Sequence, residues 1–177
     1  MEETLTYQKI YTFEDLNSLP DENYEIINGK RVDMSPTGFI HGKFEYKLAR
    51  VLEDYLEDQG YVSVGEIGIV ISKKPFRLRA ADVVYISKET SPQEPEGILQ
   101  IAPDLIIEIL SKDDTVEKMS NKIKDYLSIG VERIVVVDPA AESVSIYHQK
   151  SKGIDLYHFD EEFELYAGIK IIMNQIL

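Results

Sequence analysis

The sequence predicts an α/β fold in which one mixed central sheet carries helices against its faces. Three observations lead there. Two nearly continuous apolar runs, DVVYI (Asp82–Ile86) and DLIIEIL (Asp104–Leu110), read as central strands covered on both sides, because a strand with one wet face would alternate in polarity. Two segments carry apolar residues at helical spacing. The order along the chain is helix, strands, helix, strands, as expected of helices packed on a sheet.

The elements follow in order. Before residue 40 the pattern is irregular except for YEIINGKRVDM, where Asn28-Gly29 predicts a hairpin with a two-residue turn. Ser35–Gly38 (SPTG) interrupts it. Phe44, Leu48, Val51, Leu52 and Tyr55 then predict a helix from His41 to about Gln59, with Gly60 as its terminating glycine. YVSV and IGIVIS predict two short strands around Gly65 and Gly68, and ADVVYIS (Ala81–Ser87) a third. The proline-bearing loop SPQEPEG separates this from DLIIEIL. A second helix is predicted over about Thr115–Ile129. Asp114 and Glu117 stand at capping-box spacing before it, and Val116, Met119, Ile123, Tyr126 and Leu127 form its apolar stripe. Gly130 closes it. RIVVVD is a strand stopped by Pro139, VSIYH and IDLYHF form a terminal meander, and GIKIIMNQIL supplies an edge strand and a short helical tail.

At 177 residues and 44% apolar content the chain fits one domain, residues 1–177, with a real core. No apolar run reaches membrane-spanning length, and the acidic N-terminus has no signal-type apolar region, so the expected location is the cytoplasm. With no cysteine there are no disulfides, thiolate nucleophiles or Cys-ligated metals. The net charge of −13 argues against a dedicated nucleic-acid coat protein but not against a nuclease, which gathers carboxylates around cations and needs only a local basic surface. KKPFRLR holds Lys73, Lys74, Arg77 and Arg79 within seven residues; it reads as such a surface or, more plainly, as a solvated, charge-protected turn.

Glu108 is the residue that calls for chemistry, since a carboxylate inside an apolar strand is costly without a partner. Asp104 shares its face but lies four residues away, about 13 Å along a strand, too far to share an ion. Asp82 is the better partner. If its strand neighbours that of Glu108, the two side chains approach to about 5 Å, where a divalent cation or a retained proton makes the pair tolerable. Oxygen ligands without cysteine suit Mg²⁺ or Mn²⁺, the ions of phosphodiester hydrolysis. Lys122, flanking the apolar stripe of the second helix, could serve as a cation for that site or be one more solvated lysine beside Lys118 and Lys124. His41 either assists proton transfer or acts as a cap or packing residue; Glu25 is a further acid or the polar face of the hairpin. His148 and His158 lack zinc spacing and read as structural, and neither a nucleophile elbow nor a Gly-rich phosphate loop is present.

YEIINGKRVDMSPTGFIH, ADVVYI, APDLIIEILS and NKIKDYLSIGVERIVVVDP, in that order over about residues 10–150, resemble the Uma family of candidate restriction endonucleases within the PD-(D/E)XK nuclease superfamily. The resemblance implies a restriction-endonuclease-like core with a Mg²⁺ site at a strand end. Asp82 matches the motif's aspartate, with Ala81 where proline is usual, and Glu108 matches the second acid. Position 110 is Leu where the superfamily has lysine; Lys122 fits the place of nucleases whose lysine has moved to the next helix. His41 matches the family's first-helix histidine and Glu25 its hairpin glutamate.

The leading expectation is a metal-dependent DNA endonuclease using Asp82, Glu108 and Lys122. The alternative is a binding or assembly module of the same fold without turnover, and a third reading is a nuclease whose DNA affinity comes from a protein partner. Pairing of two copies is expected by analogy, since double-strand cleavage needs two sites.

Overall fold

A computed structural model of the chain describes residues 9–177; residues 1–8, the start of the acidic N-terminal segment read above for a signal, lie outside the described residues. A 3₁₀ turn at Phe13–Ser18 precedes the hairpin β1 (Tyr24–Ile27) and β2 (Lys30–Asp33). Helix α1 (Phe39–Leu56) leads into the long strands β3 (Gly60–Lys73) and β4 (Phe76–Ser87). Then come β5 (Leu105–Ile109), helix α2 (Val116–Ile129), β6 (Arg133–Asp138), β7 (Ser143–His148) and β8 (Ile154–His158). A separate two-stranded sheet of β9 (Glu162–Tyr166) and β10 (Ile169–Ile172) ends in the one-turn helix α3 (Met173–Ile176).

The main sheet runs β2-β1-β4-β5-β6-β7-β8, with β3 also on β4. Among the described strands of this sheet only β5 and β6 pair in parallel, joined by α2 as a crossover, so the sheet is mixed and mostly antiparallel. β5 is buried at every position, as its apolar run predicts for a strand with a neighbour on each edge and a helix layer on each face. On one face Phe44, Leu48 and Leu52 of α1 pack on Val83, Ile107 and Val135, and the small sheet extends this layer through Phe163, Leu165 and Ile171. On the other, Met119, Ile123 and Tyr126 of α2 pack on Val84, Ile106 and Ile134. The hairpin forms a third cluster, Tyr24 and Ile26 against Phe76 and Leu78.

The hairpin turn is the one expected: Asn28 and Gly29 both have positive φ (52° and 78°), as a two-residue turn with the twist of its strands requires. Elsewhere the structure corrects the sequence reading. YVSV and IGIVIS are one strand, β3, interrupted by a bulge: Val64 pairs Val83 and Ile67 pairs Ala81, so Gly65 and Glu66 face the single residue Asp82. Gly60 is not a helix cap. α1 ends at Leu56, and Gly60 opens β3 opposite Ser87, where an added Cβ would lie 2.4 Å from the Ile86 carbonyl oxygen. α2 is capped by Thr115, whose hydroxyl accepts from Lys118 N–H at 3.2 Å, while Asp114 accepts from Ser111 N–H and Oγ instead. Val116 belongs to no buried stripe and is 86% exposed. β9 had no counterpart in the sequence reading.

Two glycines should respond in opposite senses to alanine. Gly60→Ala meets backbone and the Tyr85 ring, and is expected to destabilise by about 2 kcal/mol. Gly42→Ala, in the first half of α1 with nothing within 4 Å of its new Cβ, should stabilise by about 0.8 kcal/mol. Urea denaturation of both variants checks the pair.

Candidate functional site

The β4–β5 ladder holds from Tyr85↔Leu105 to Val83↔Ile107 and then stops. The next residues in that register are Asp82 and Glu108. Beyond this point the backbone groups of Ile109 that would have continued the ladder are taken up by side chains. Ile109 N–H donates to Asp82 Oδ2 at 2.6 Å, and the Ile109 carbonyl lies 2.9 Å from His41 Nε2. Buried backbone groups need partners, and here two candidate site residues provide them, which fixes both at a parting of central strands.

His41, at the start of α1, is buried and faces acceptors from both ring nitrogens. Nε2 lies 3.2 Å from Asp82 Oδ2 as well as against the Ile109 carbonyl, and Nδ1 lies 3.0 Å from Glu45 Oε1, one helical turn on. The Nδ1 contact is a close charge pair without the alignment of a hydrogen bond. Burial would depress the ring's basicity, but Asp82 and Glu45 outweigh it and raise the pKa to about 10, so the ring is an imidazolium near neutrality.

Glu108 projects from β5 toward α2 and is 2% exposed. Lys122 Nζ donates to its Oε2 at 2.7 Å, and the Tyr126 hydroxyl lies 2.7 Å from its Oε1. Lys122 and Tyr126 are four residues apart, so both stand on the α2 face turned to the sheet. Burial pushes the Glu108 carboxyl up to about 8, with Lys122 opposing that shift and Asp82 adding to it. Lys122 is held above the ordinary lysine range: burial works against its charge, but Glu108, Glu25 and Asp82 prevail. The Tyr126 hydroxyl also lies 3.2 Å from the Ala80 carbonyl. Its single proton can satisfy only one of these oxygens; when Glu108 holds a proton, a relay from Glu108 to Tyr126 to Ala80 satisfies all three groups.

Glu25 comes from the hairpin. Its Oε2 accepts from Arg79 Nη1 at 2.6 Å, and its Oε1 lies 3.2 Å from Ala80 N–H and 3.8 Å from Lys122 Nζ. Arg79 also donates from Nε to Asp125 Oδ2 at 2.6 Å, and Arg77 Nη1 reaches the other oxygen of Asp125 at 2.5 Å. An alternating chain of charge thus runs Asp125, Arg79, Glu25, Lys122, Glu108. KKPFRLR is therefore not one basic surface: Arg79 is buried, and Arg77 is tied to Asp125 and Asn28.

The five residues picked out in the sequence fall into two adjoining networks, Asp82 with His41 and Glu108 with Lys122 and Glu25, which meet where Asp82 and Glu108 follow the last pair of the β4–β5 ladder. Asp104 stands apart, accepting from Ser87 N–H and Thr90 Oγ1, and His148 pairs with Asp155. The sequence reading missed Glu45, Tyr126 as a polar partner, Arg79, Asp125 and Glu66. Glu66, with φ +59° in the bulge opposite Asp82, is pushed up to about 7 by burial and then by the charge of Asp82. The spacings His41/Glu45 and Lys122/Tyr126 were visible as helical neighbours; nothing local marks Glu66 or Arg79.

Two donor sets could hold a cation. One ligand atom each of His41, Glu45 and Asp82 lie within 4.8 Å of one another. A cation there would have to displace the proton that Asp82 and Glu45 favour on the ring. Asp82 and Glu108 occupy the next facing positions of the β4–β5 register and raise each other's cost of charge, as Asp82 does for Glu66, the condition a divalent ion would relieve.

Residues 10–170 match the Uma2 family model, described as "Putative restriction endonuclease". The chain belongs to that family. The fold agrees: the crystal structure of "a putative nuclease belonging to DUF820 from Anabaena variabilis ATCC 29413" superposes with a TM-score of 0.78, covering 94% of this chain and 97% of that one at 20% identity. The restriction-endonuclease-like core, a mixed sheet flanked by helices, is therefore that of this nuclease-type family. No curated protein matches the chain. Among the described residues no helix is long and apolar enough to cross a membrane.

Removing Arg79 takes a shared buried cation from two buried carboxylates, Glu25 and Asp125. Arg79→Ala is expected to cost about 4 kcal/mol in chemical denaturation, whereas Arg31→Ala, whose acidic partners Glu22 and Asp33 are largely exposed, should change stability by less than about 1 kcal/mol. The raised His41 pKa sets the sign of a pH effect. The stabilisation of wild type over His41→Asn should be fully present below the ordinary value of 6.5 and fade as pH climbs through about 10. A difference that stays constant from pH 6 to 10 would mean the ring is not held as an imidazolium.

Proposed function

We propose that the chain is a divalent-cation-dependent DNA endonuclease, with Asp82 and Glu108 as the carboxylates that hold Mg²⁺ or Mn²⁺. The observation that supports this most directly is the parting of β4 and β5 at these two acids, where the ladder gives way to side chains and carboxylates collect. The bound cation would supply an activated water and offset charge developing on the scissile phosphate. Lys122 neutralises Glu108 in the resting cluster, and with Glu108 holding a cation its ammonium would be available to a phosphate oxygen. His41 keeps Asp82 and the Ile109 carbonyl in place. Glu25 holds Lys122 on one side and Arg79 on the other, fixing the amine's position. Cleavage of both strands of a duplex calls for two such sites, which a second copy of the chain would provide.

A second reading, a nuclease-fold module without turnover, is favoured by one observation: both oxygens of Glu108 are already engaged, by Lys122 and by Tyr126. Mg²⁺ and Mn²⁺ titrations followed by thermal shift, together with nicking of supercoiled plasmid, separate the two. The nuclease should show a cation-dependent rise in Tm that Asp82→Ala loses. Its nicking should be abolished in Glu108→Ala and reduced ~10²-fold or more in Lys122→Ala. Equal Tm shifts in wild type and Asp82→Ala would remove Asp82 from the cation site, and absence of nicking with a retained shift would favour the silent module.

A further inference from the structure

Helix α1 carries its charges the wrong way round for its own stability. From Phe39 to Arg50 its solvent side presents Phe39, Lys43, Tyr46, the half-buried Lys47 and Arg50; its last turn and the residues after it present Glu53, Asp54, Glu57 and Asp58. The positive end of a helix dipole favours acids and the negative end favours bases, yet the first turn has no acid and the last turn no base. The apolar members are equally out of place. Phe39 is 87% exposed and Tyr46 59%, on a helix whose opposite face already buries Phe44, Leu48 and Leu52. Among the described residues neither Lys43 nor Lys47 has an acid within ion-pair distance, and Arg50 has only the exposed Asp54 at 3.6 Å. In a chain of net charge −13 this is a local basic strip with aromatic rings set into it, and it begins at the turn that delivers His41 to Asp82.

Helix stability accounts for neither the bases nor the rings, whereas a polyanion with flat apolar faces accounts for both. Resting on the nuclease reading of the neighbouring cluster, we infer that the exposed face of α1 from Phe39 to Arg50 is the surface along which a nucleic-acid strand with unpaired bases approaches the site. Lys43, Lys47 and Arg50 take its phosphates; Phe39 and Tyr46, two turns and about 10.5 Å apart along the axis, stack on its bases. A fully paired duplex offers its phosphates to the lysines but keeps its base faces from the rings, so the aromatic contribution selects single-stranded, frayed or branched substrates.

Fluorescence anisotropy with a labelled single-stranded oligodeoxynucleotide and a labelled blunt-ended duplex of two complementary strands, in EDTA so that nothing is cut, tests this directly. The triple variant Lys43→Glu/Lys47→Glu/Arg50→Glu, and its milder Gln counterpart, should weaken single-strand binding, the Glu form roughly tenfold or more. The triple Gln variant should flatten the salt dependence by about 2 in log–log slope. Phe39→Ala should weaken single-strand binding roughly tenfold with the slope unchanged and leave duplex binding alone. Lys30→Glu, on the exposed hairpin, is the charge control. Triple variants no weaker than Lys30→Glu, equal losses on duplex and single strand in Phe39→Ala, or no binding by wild type would overturn the inference. Plasmid nicking read alongside keeps the two readings apart. Binding that follows these variants without nicking removes the nuclease and leaves the surface; nicking with binding indifferent to them removes the surface and leaves the nuclease.

Discussion

Burial of the Glu108 carboxylate in the middle of the sheet is the constraint around which the rest of the molecule is arranged. β5 has a neighbour on each edge and a helix layer on each face, so no water reaches this group to solvate its charge. Lys122 and Tyr126 compensate from α2, which ties the register of that helix to the strand preceding it. Lys122 in turn sits beside Glu25, and Glu25 needs Arg79, so the hairpin and β4 are drawn into the same problem. The outcome is a set of charges contributed by four strands and two helices, in which only α1 pairs charges of its own, His41 with Glu45.

The second organising feature is the parting of β4 from β5. In an uninterrupted sheet Asp82 would be spent on packing. Here the bulge at Gly65–Glu66 and the end of the ladder at Val83↔Ile107 leave Asp82 flanked by irregular backbone on both edges of its strand. The sheet has exchanged two ladder hydrogen bonds for side-chain ones, one to Asp82 and one from His41, and gained a place where Asp82, His41 and Glu45 bring ligand atoms within 4.8 Å of one another.

Much of this was legible in the sequence. DVVYI and DLIIEIL show themselves as central strands because burial on both faces removes polarity alternation, and an acid inside each then stands out. The Asn28-Gly29 turn is legible because its backbone angles demand those residues. What was not legible depends on long-range pairing. The bulge at Gly65–Glu66 looks like a break between two strands until β4 is placed beside it. Arg79 looks like part of a basic surface because its partners, Glu25 and Asp125, lie 54 and 46 residues away. Gly60 looks like a helix terminator because close contact with the Ile86 carbonyl leaves no trace in local sequence. The resemblance to the family carried Lys122, which periodicity alone could not distinguish from its solvated neighbours.

The chain of alternating charges from Asp125 to Glu108 has a consequence for divergence. Buried ion networks are costly to break one member at a time, yet replacing a whole network with aliphatic residues of similar volume is often neutral or stabilising. A descendant released from any need for these carboxylates would therefore face steep single steps but no thermodynamic reason to keep the set, and once one member went the others would tend to follow. Within a lineage the set should be kept or lost as a block, and a relative holding only part of it would be caught between two stable solutions.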